Sequence, residues 1–293
     1  MDALTPERAG YRSDFLAVPV ALPAPTAGTP LRELRYTHFS VLLDPVRRLA
    51  RSTGVNIDGD ALTDIERGDD WHLDDRIPED EQVGEAVYAR NDLDRGHLVR
   101  RRDPVWGDRA TAEQANLDTF AYPNAAPQAG DFNQSKELWL GLEDHVLAYA
   151  QTNRNRISVF TSPVLALNDP LYRGVGIPQA FWKVAAWTTA VDGIASLRAA
   201  AFVLDQSSQL VDIDLNDASA QALIDGGPPP LGPYLSYQVP VEDVESLTGL
   251  DFGGLVMADV MAPVLAGRAD GSPRTGWVRL RNDGDITLEK AAS

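Results

Sequence analysis

The stretch LDRGHLVRRRDPVWG, Leu93 to Gly107, sets one of only four histidines among four arginines, in a chain whose formal net charge is −17. His97 stands two residues after Arg95 and just ahead of Arg100, Arg101 and Arg102. An imidazole titrates near pH ~6.5 when unperturbed, so His97 can take a proton at neutral pH. A guanidinium fork matches the oxygens of a phosphate. Cleaving a phosphodiester needs a base for water, donors for the growing negative charge, and a cation on the phosphate and leaving oxygens. His97 suits the first task and Arg95 the second.

The cation needs oxygen ligands, and magnesium takes few of them from protein because it keeps several waters. About thirty residues downstream, TFAYPNAAPQAGDFNQSKELWLGLED offers amide oxygens at Asn124, Gln128 and Asn133 and a carboxylate at Glu143. An amide ligand would leave the ion's full charge to the phosphate. Plainer readings stand beside these. A run such as Arg100–Arg102 is ordinarily a solvated face, and Asn133 could simply cap the helix that follows. His38, His72 and His145 read as structural, and Trp139, Trp182 and Trp187 as core.

These residues need elements to hold them. YTHFSVLLD alternates and carries β-formers, and RRLARSTGVNIDG runs into an apolar strand ended by Asp58-Gly59. EAVYARNDLDRGHLV reads as a strand, a turn and a second short strand bearing His97. TAEQANLDTF reads as a short helix. QSKELWLGLEDHVLAYAQT reads as a longer one, with Leu138, Leu142, Val146 and Tyr149 on one face and Ser135 as cap. RISVFTSPVLAL, QAFWKVAAWTTA and LRAAAFVLDQ read as strands, and PVEDVESLTGLDF as a short helix. Strands and helices interleave without a regular βαβ rhythm. The expected class is therefore α+β, with a mainly antiparallel central sheet flanked by helices. Residues 1–30, rich in Pro, Ala and Thr, are expected to be an arm that wraps the domain or is partly irregular. A single domain is expected over 31–265, with a C-terminal extension over 266–293.

Bulk composition bounds the rest. The 293 residues hold 43 acidic and 26 basic side chains, which argues against bulk affinity for nucleic acid or an anionic membrane. A local basic groove remains open, because binding is decided within a Debye length of roughly 8–10 Å. With no cysteine, thiolate catalysis, disulfides and zinc–sulfur sites are excluded. The N-terminal apolar run is short and broken by prolines, so no signal peptide is read there. Nor does any stretch reach the ~20 apolar residues of a membrane span. The expected location is the cytoplasm, or outside it by a signal-less route.

The ordered set Asp94-Arg95-Gly96-His97, Thr119-Phe120, Asn124, Pro127-Gln128, Asn133, Trp139, Leu142 and Glu143 resembles the signature of the DNA/RNA non-specific endonuclease family, the His-Me finger or ββα-metal nucleases. The likeness extends more weakly over roughly residues 35 to 255. It implies a ββα-metal finger at about residues 85–150. It implies His97 as general base, Asn133 as the one direct protein ligand of Mg2+ (Mn2+ substituting), and Arg95 on the scissile or a neighbouring phosphate. Glu143 would hold metal-bound water. Asn124 and Gln128 would shape the site, with Gln128 touching substrate. Asp94 would fix a turn, and Gly96 would let the backbone pass close to phosphate. Arg67, ahead of Trp71 in ERGDDWHL, looks like an additional phosphate arginine, although Glu66, Asp69 and Asp70 crowd it. Arg76 or the run containing Arg100 and Arg101 is the alternative.

The implied activity is metal-dependent endonuclease cleavage of DNA and RNA that leaves 5′-phosphate ends, by a monomer or a homodimer. Two rivals remain. A dormant member of the fold would bind nucleic acid or a protein without cutting. A toxin or anti-phage effector would keep the chemistry but be held by an inhibitory or activating protein partner.

Overall fold

A computed structural model describes residues 8–28, 30–129, 155–207, 210, 235–261, 276–281 and 285–288. In chain order the elements of the first half are β1 (Ala24–Pro25), β2 (Arg32–Arg35), β3 (Phe39–Asp44), β4 (Leu49–Asp58), α1 (Glu85–Tyr88), β5 (Leu93–His97), α2 (Arg109–Asp118) and β6 (Ala125–Ala129). Then come β7 (Arg156–Pro163), β8 (Leu171–Tyr172), β9 (Val175–Gly176), β10 (Ala180–Val191), β11 (Ile194–Asp205) and β12 (Leu235–Val239). The last are α3 (Val241–Thr248), β13 (Leu250–Asp251), α4 (Gly254–Ala258) and β14 (Val278–Leu280). Among the described residues no helix is long and apolar enough to cross a membrane.

Eight strands form one sheet in the order β14-β12-β11-β10-β7-β4-β3-β2, and every neighbouring pair is antiparallel. The architecture is the expected α+β one. Its central hairpin, β10 to β11, turns on Asp192-Gly193, both at positive φ (52° and 77°). That is the backbone a two-residue turn needs to match strand twist, and Asp-Gly adopts it readily. Both faces of this sheet are covered. Phe181, Ala185 and Trp187 of β10 point into one core, while Trp182, Val184 and Ala186 point into the other. The strands therefore read as nearly continuous apolar runs rather than as clean alternation.

The two faces carry different layers. One packs against Leu93, Leu98, Val99, Tyr122, Ala126 and Ala129, which belong to the segment expected to do chemistry. The other packs against Phe15, Leu16 and Val20 of the N-terminal arm and against Val241, Val244 and Leu255 of α3 and α4. The described part of the arm has little regular structure but is tied down. The Arg12 amide donates to Asn56 Oδ1 at 2.7 Å and the Tyr11 amide to Ser40 Oγ at 3.0 Å, and β1 pairs with β13.

One element differs from expectation. EAVY forms a single helical turn, α1, rather than a strand, and only Leu93–His97 is extended. Four residues are too few for a period of two to be told from one of 3.6.

Candidate active site

The site grows from a two-stranded ribbon. β5 and β6 pair antiparallel, with Asp94 opposite Gln128, Arg95 opposite Pro127 and His97 opposite Ala125. Side chains alternate along a strand, so Arg95 and His97 share one face about 7 Å apart, at 3.3–3.4 Å per residue. Asp94 and Gly96 share the other face with Gln128. A Cβ at position 96 would lie 2.0 Å from Gln128 Cδ. Gly96 is thus required by the close approach of the Gln128 side chain, which lies in the space that any larger residue would fill. This corrects two expectations. Gly96 makes room for a protein side chain rather than for phosphate. Gln128 is buried behind the ribbon, 1% exposed, and cannot touch substrate there.

The loop leaving His97 is closed by Asn124. Its Oδ1 accepts from the Val99 amide at 2.8 Å, and its Nδ2 donates to the carbonyls of Val99 at 2.9 Å and Thr119 at 3.0 Å. The Leu98 amide donates to the Asn124 carbonyl at 2.9 Å. The carboxamide thus acts as a substitute peptide group that continues the β5–β6 ladder by one rung. Asn124 is fully buried, so it braces the loop behind His97. Within the same loop α2 is capped by Asp108, whose side chain accepts from the Thr111 amide at 3.0 Å.

The acidic segment 60–83 reaches the site through a two-bond bridge. The His72 amide donates to the Phe120 carbonyl at 3.1 Å, and the Tyr122 amide to the His72 carbonyl at 2.9 Å. The bridge seats Trp71 against the imidazole of His97, with ring centroids 4.7 Å apart. Phe120 meets the same imidazole edge-on at 5.2 Å. His97 is partly exposed, but its Nε2 is buried and has no hydrogen-bond partner among the described residues. Burial first, then the positive charges of Arg67 and Arg101, push the imidazole pKa down to about 3. The ring is therefore neutral across the physiological range.

The arginines take different roles. Arg101 Nη1 donates to the Ile65 carbonyl at 3.1 Å and to Asn116 Oδ1 at 3.0 Å, which ties the loop after His97 to α2. Arg67 is exposed and makes no hydrogen bond or ion pair among the described residues, so the neighbouring carboxylates do not hold it. Arg100 lies partly buried in the same run. Arg76 is committed elsewhere, as its guanidinium clasps Asp74, whose carboxyl pKa falls to about 2.

Arg95 has an unexpected partner. Its Nη2 donates to Glu85 Oε2, and the Tyr122 hydroxyl donates to the same oxygen at 2.8 Å. The Arg95 guanidinium also lies 5.7 Å from the centre of the Tyr88 ring. Arg95, Glu85, Tyr122 and Trp71 line an open cavity of about 780 Å³ together with Arg48 and Arg173. Glu85 and Tyr122 carry no local signal of a site role, and Phe120 and Trp71 enter the sequence pattern only as its landmarks. Trp71 sits 26 positions from His97 in sequence, and the His72 bridge brings them together.

Asn133 and Glu143 lie outside the described residues. Among the described residues no group of three or more His, Cys, Asp or Glu could hold a metal. A hard divalent ion held by one amide oxygen and waters needs no such group. Together the described groups can hold an anion at Arg95 and accept a proton at His97 beside it.

The sequence pattern of the DNA/RNA non-specific endonuclease family matches residues 21–258. An uncharacterized protein of Sinorhizobium fredii is 41% identical over 286 residues, covering 89% of this chain and 41% of its own length. A nuclease of Nostoc sp. is 26% identical over 205 residues, 69% of this chain and 66% of its own. The chain thus spans less than half of the Sinorhizobium relative. Among solved structures, EndoG in complex with EndoGI matches in fold, with a TM-score of 0.56 and 20% identity, covering 85% of this chain and 93% of that one. With the match running through the ribbon that carries His97 and Arg95, the chain belongs to the DNA/RNA non-specific endonuclease family.

Proposed function

We propose that this chain is a metal-dependent endonuclease that hydrolyses phosphodiester bonds of DNA and RNA with little sequence preference. The observation that carries the proposal is the pairing, on one face of β5, of a neutral His97 imidazole with the Arg95 guanidinium. Arg95 binds a phosphate oxygen and sets the phosphorus beside the imidazole. His97 accepts a proton from the water that attacks phosphorus, and the 3′ oxygen leaves opposite to that water, so the products end in 5′ phosphates. An imidazole with a pKa near 3 is a weak base on its own. An arriving phosphate carries negative charge that offsets Arg67 and Arg101, which raises the basicity of His97 when substrate is bound. Asn133 would hold a Mg2+ ion, or Mn2+ in its place, and the ion would supply a Lewis acid for charge developing on the phosphate.

The groups proposed to hold substrate, Arg95 and Arg67, address phosphate, which is the same in every nucleotide. A protein partner that restrains the activity is part of the proposal, by analogy with the EndoG/EndoGI pair. The test is digestion of plasmid DNA and of ribosomal RNA by the purified chain, with Mg2+ and with EDTA, followed by labelling of the 5′ ends. Cleavage of both polymers only with metal, leaving 5′ phosphates, is expected. Binding without cleavage across divalent ions would replace this reading with that of a dormant binding protein.

A further inference from the structure

The contact between Arg95 and Glu85 bears on the proposed activity, and the inference rests on that reading of Arg95. A phosphate-binding guanidinium is normally left open to its ligand. Here it is held by a carboxylate, and the carboxylate is itself held from the far side by the Tyr122 hydroxyl at 2.8 Å. Glu85 begins α1, where a first-turn acid is favoured by the helix end, and its side chain is 57% exposed at the cavity that Arg95 lines. The Arg95 Nε is buried without a partner among the described residues, so Glu85 engages only one arm of the fork. Glu85 and Arg95 line the same cavity, so an anion entering it meets the carboxylate and the guanidinium together.

We infer that Glu85 is a positioning residue that competes with the substrate phosphate for Arg95 and sets how tightly nucleic acid is held. Tyr122 keeps the carboxylate in the competing position. Ionised Glu85 points Arg95 into the cavity while weakening its hold on phosphate. Because Arg95 and His97 share one face of β5, loosening that hold also eases release of the new phosphate end. In a chain with net charge −17, the device lets a site discharge a polyanion it has just cut.

The experiment is fluorescence anisotropy of a labelled single-stranded oligonucleotide in EDTA, where nothing is cleaved. It is run with wild type, Glu85→Gln, Arg95→Ala and the double variant, each checked for folding by circular dichroism. Glu85→Gln keeps an acceptor for Tyr122 and removes the charge. It is expected to tighten binding roughly two- to fivefold, the range of one exposed ion pair. Arg95→Ala is expected to weaken binding, and Glu85→Gln to have no effect in that background. In the metal-loaded enzyme the Glu85→Gln KM should fall by a similar factor while kcat does not rise. A residue that only props up Arg95 would give the reverse, weaker binding and a higher KM, and that result overturns the inference. Binding unchanged in Arg95→Ala would overturn the reading of Arg95 as well, which separates the two failures.

Discussion

The side chain of Asn124 pairs with the backbone of Val99 as one peptide pairs with another, accepting at 2.8 Å and donating at 2.9 Å. Val99 follows His97 by two residues, so this clasp fixes the direction in which the chain leaves the imidazole. Asn124→Ala would strand the Val99 amide and the carbonyls of Val99 and Thr119 in a buried place. The expected cost is roughly 3 kcal/mol, since each orphaned buried group costs about 1–3 kcal/mol and neighbours relax. Urea unfolding measures it. A variant as stable as wild type but inactive would instead mark Asn124 as a group that meets the reacting atoms.

Gly96 and Gln128 make a second pair that can be tested. The added methyl of Gly96→Ala meets Gln128 Cδ at 2.0 Å, so overpacking of about 2 kcal/mol is expected. In a Gln128→Ala background the obstructing atoms are gone. The penalty should fall there by at least about 1 kcal/mol, a coupling that a double-mutant cycle reads directly. Additive penalties would show that position 96 is constrained by something other than Gln128.

Much of this arrangement was legible in the sequence, and the remainder was not for identifiable reasons. The strands β3, β4, β7, β10 and β11 announce themselves through β-branched and aromatic residues buried on both faces. The helix α2 was legible as TAEQANLDTF, while its Asp108 cap emerged only in the structure. By contrast AAPQA has almost no strand propensity, yet it forms β6, where pairing with β5 and burial of all five residues override local preference. The motif from Asp94 to His97 marked the ribbon's other strand and the candidate groups Arg95 and His97 that it carries. It could not reveal that Trp71 covers the imidazole, which depends on the His72 bridge, nor that Glu85, ten residues before Arg95 on a separate turn, holds the guanidinium. Burial separated roles that spacing alone had grouped: Asn124 and Gln128 belong to the motif but lie behind the ribbon.

Stability should carry the mark of the His97 imidazole, whose Nε2 is buried. The folded-state pKa of His97, about 3, lies below the unfolded value of 6.5, so the native state binds fewer protons between those limits. Stability is then full above pH 6.5 and declines as the pH falls toward 3. His38 shifts in the same direction through its own burial. His97→Gln should therefore lose less stability than wild type between about pH 7 and pH 4, while His38 leaves a residual slope in both. Urea midpoints taken across that range would show it. Parallel curves for the two proteins would mean that the imidazole is solvated rather than buried.

Cleavage of supercoiled plasmid by wild type and His97→Ala, each with Mg2+ and with EDTA, tests the central claim most directly. Metal-dependent nicking and linearisation by wild type are expected, with His97→Ala slower by at least about a hundredfold, the loss that removal of a general base entails. A His97→Ala protein that folds normally and cuts within a few-fold of wild type would contradict the account.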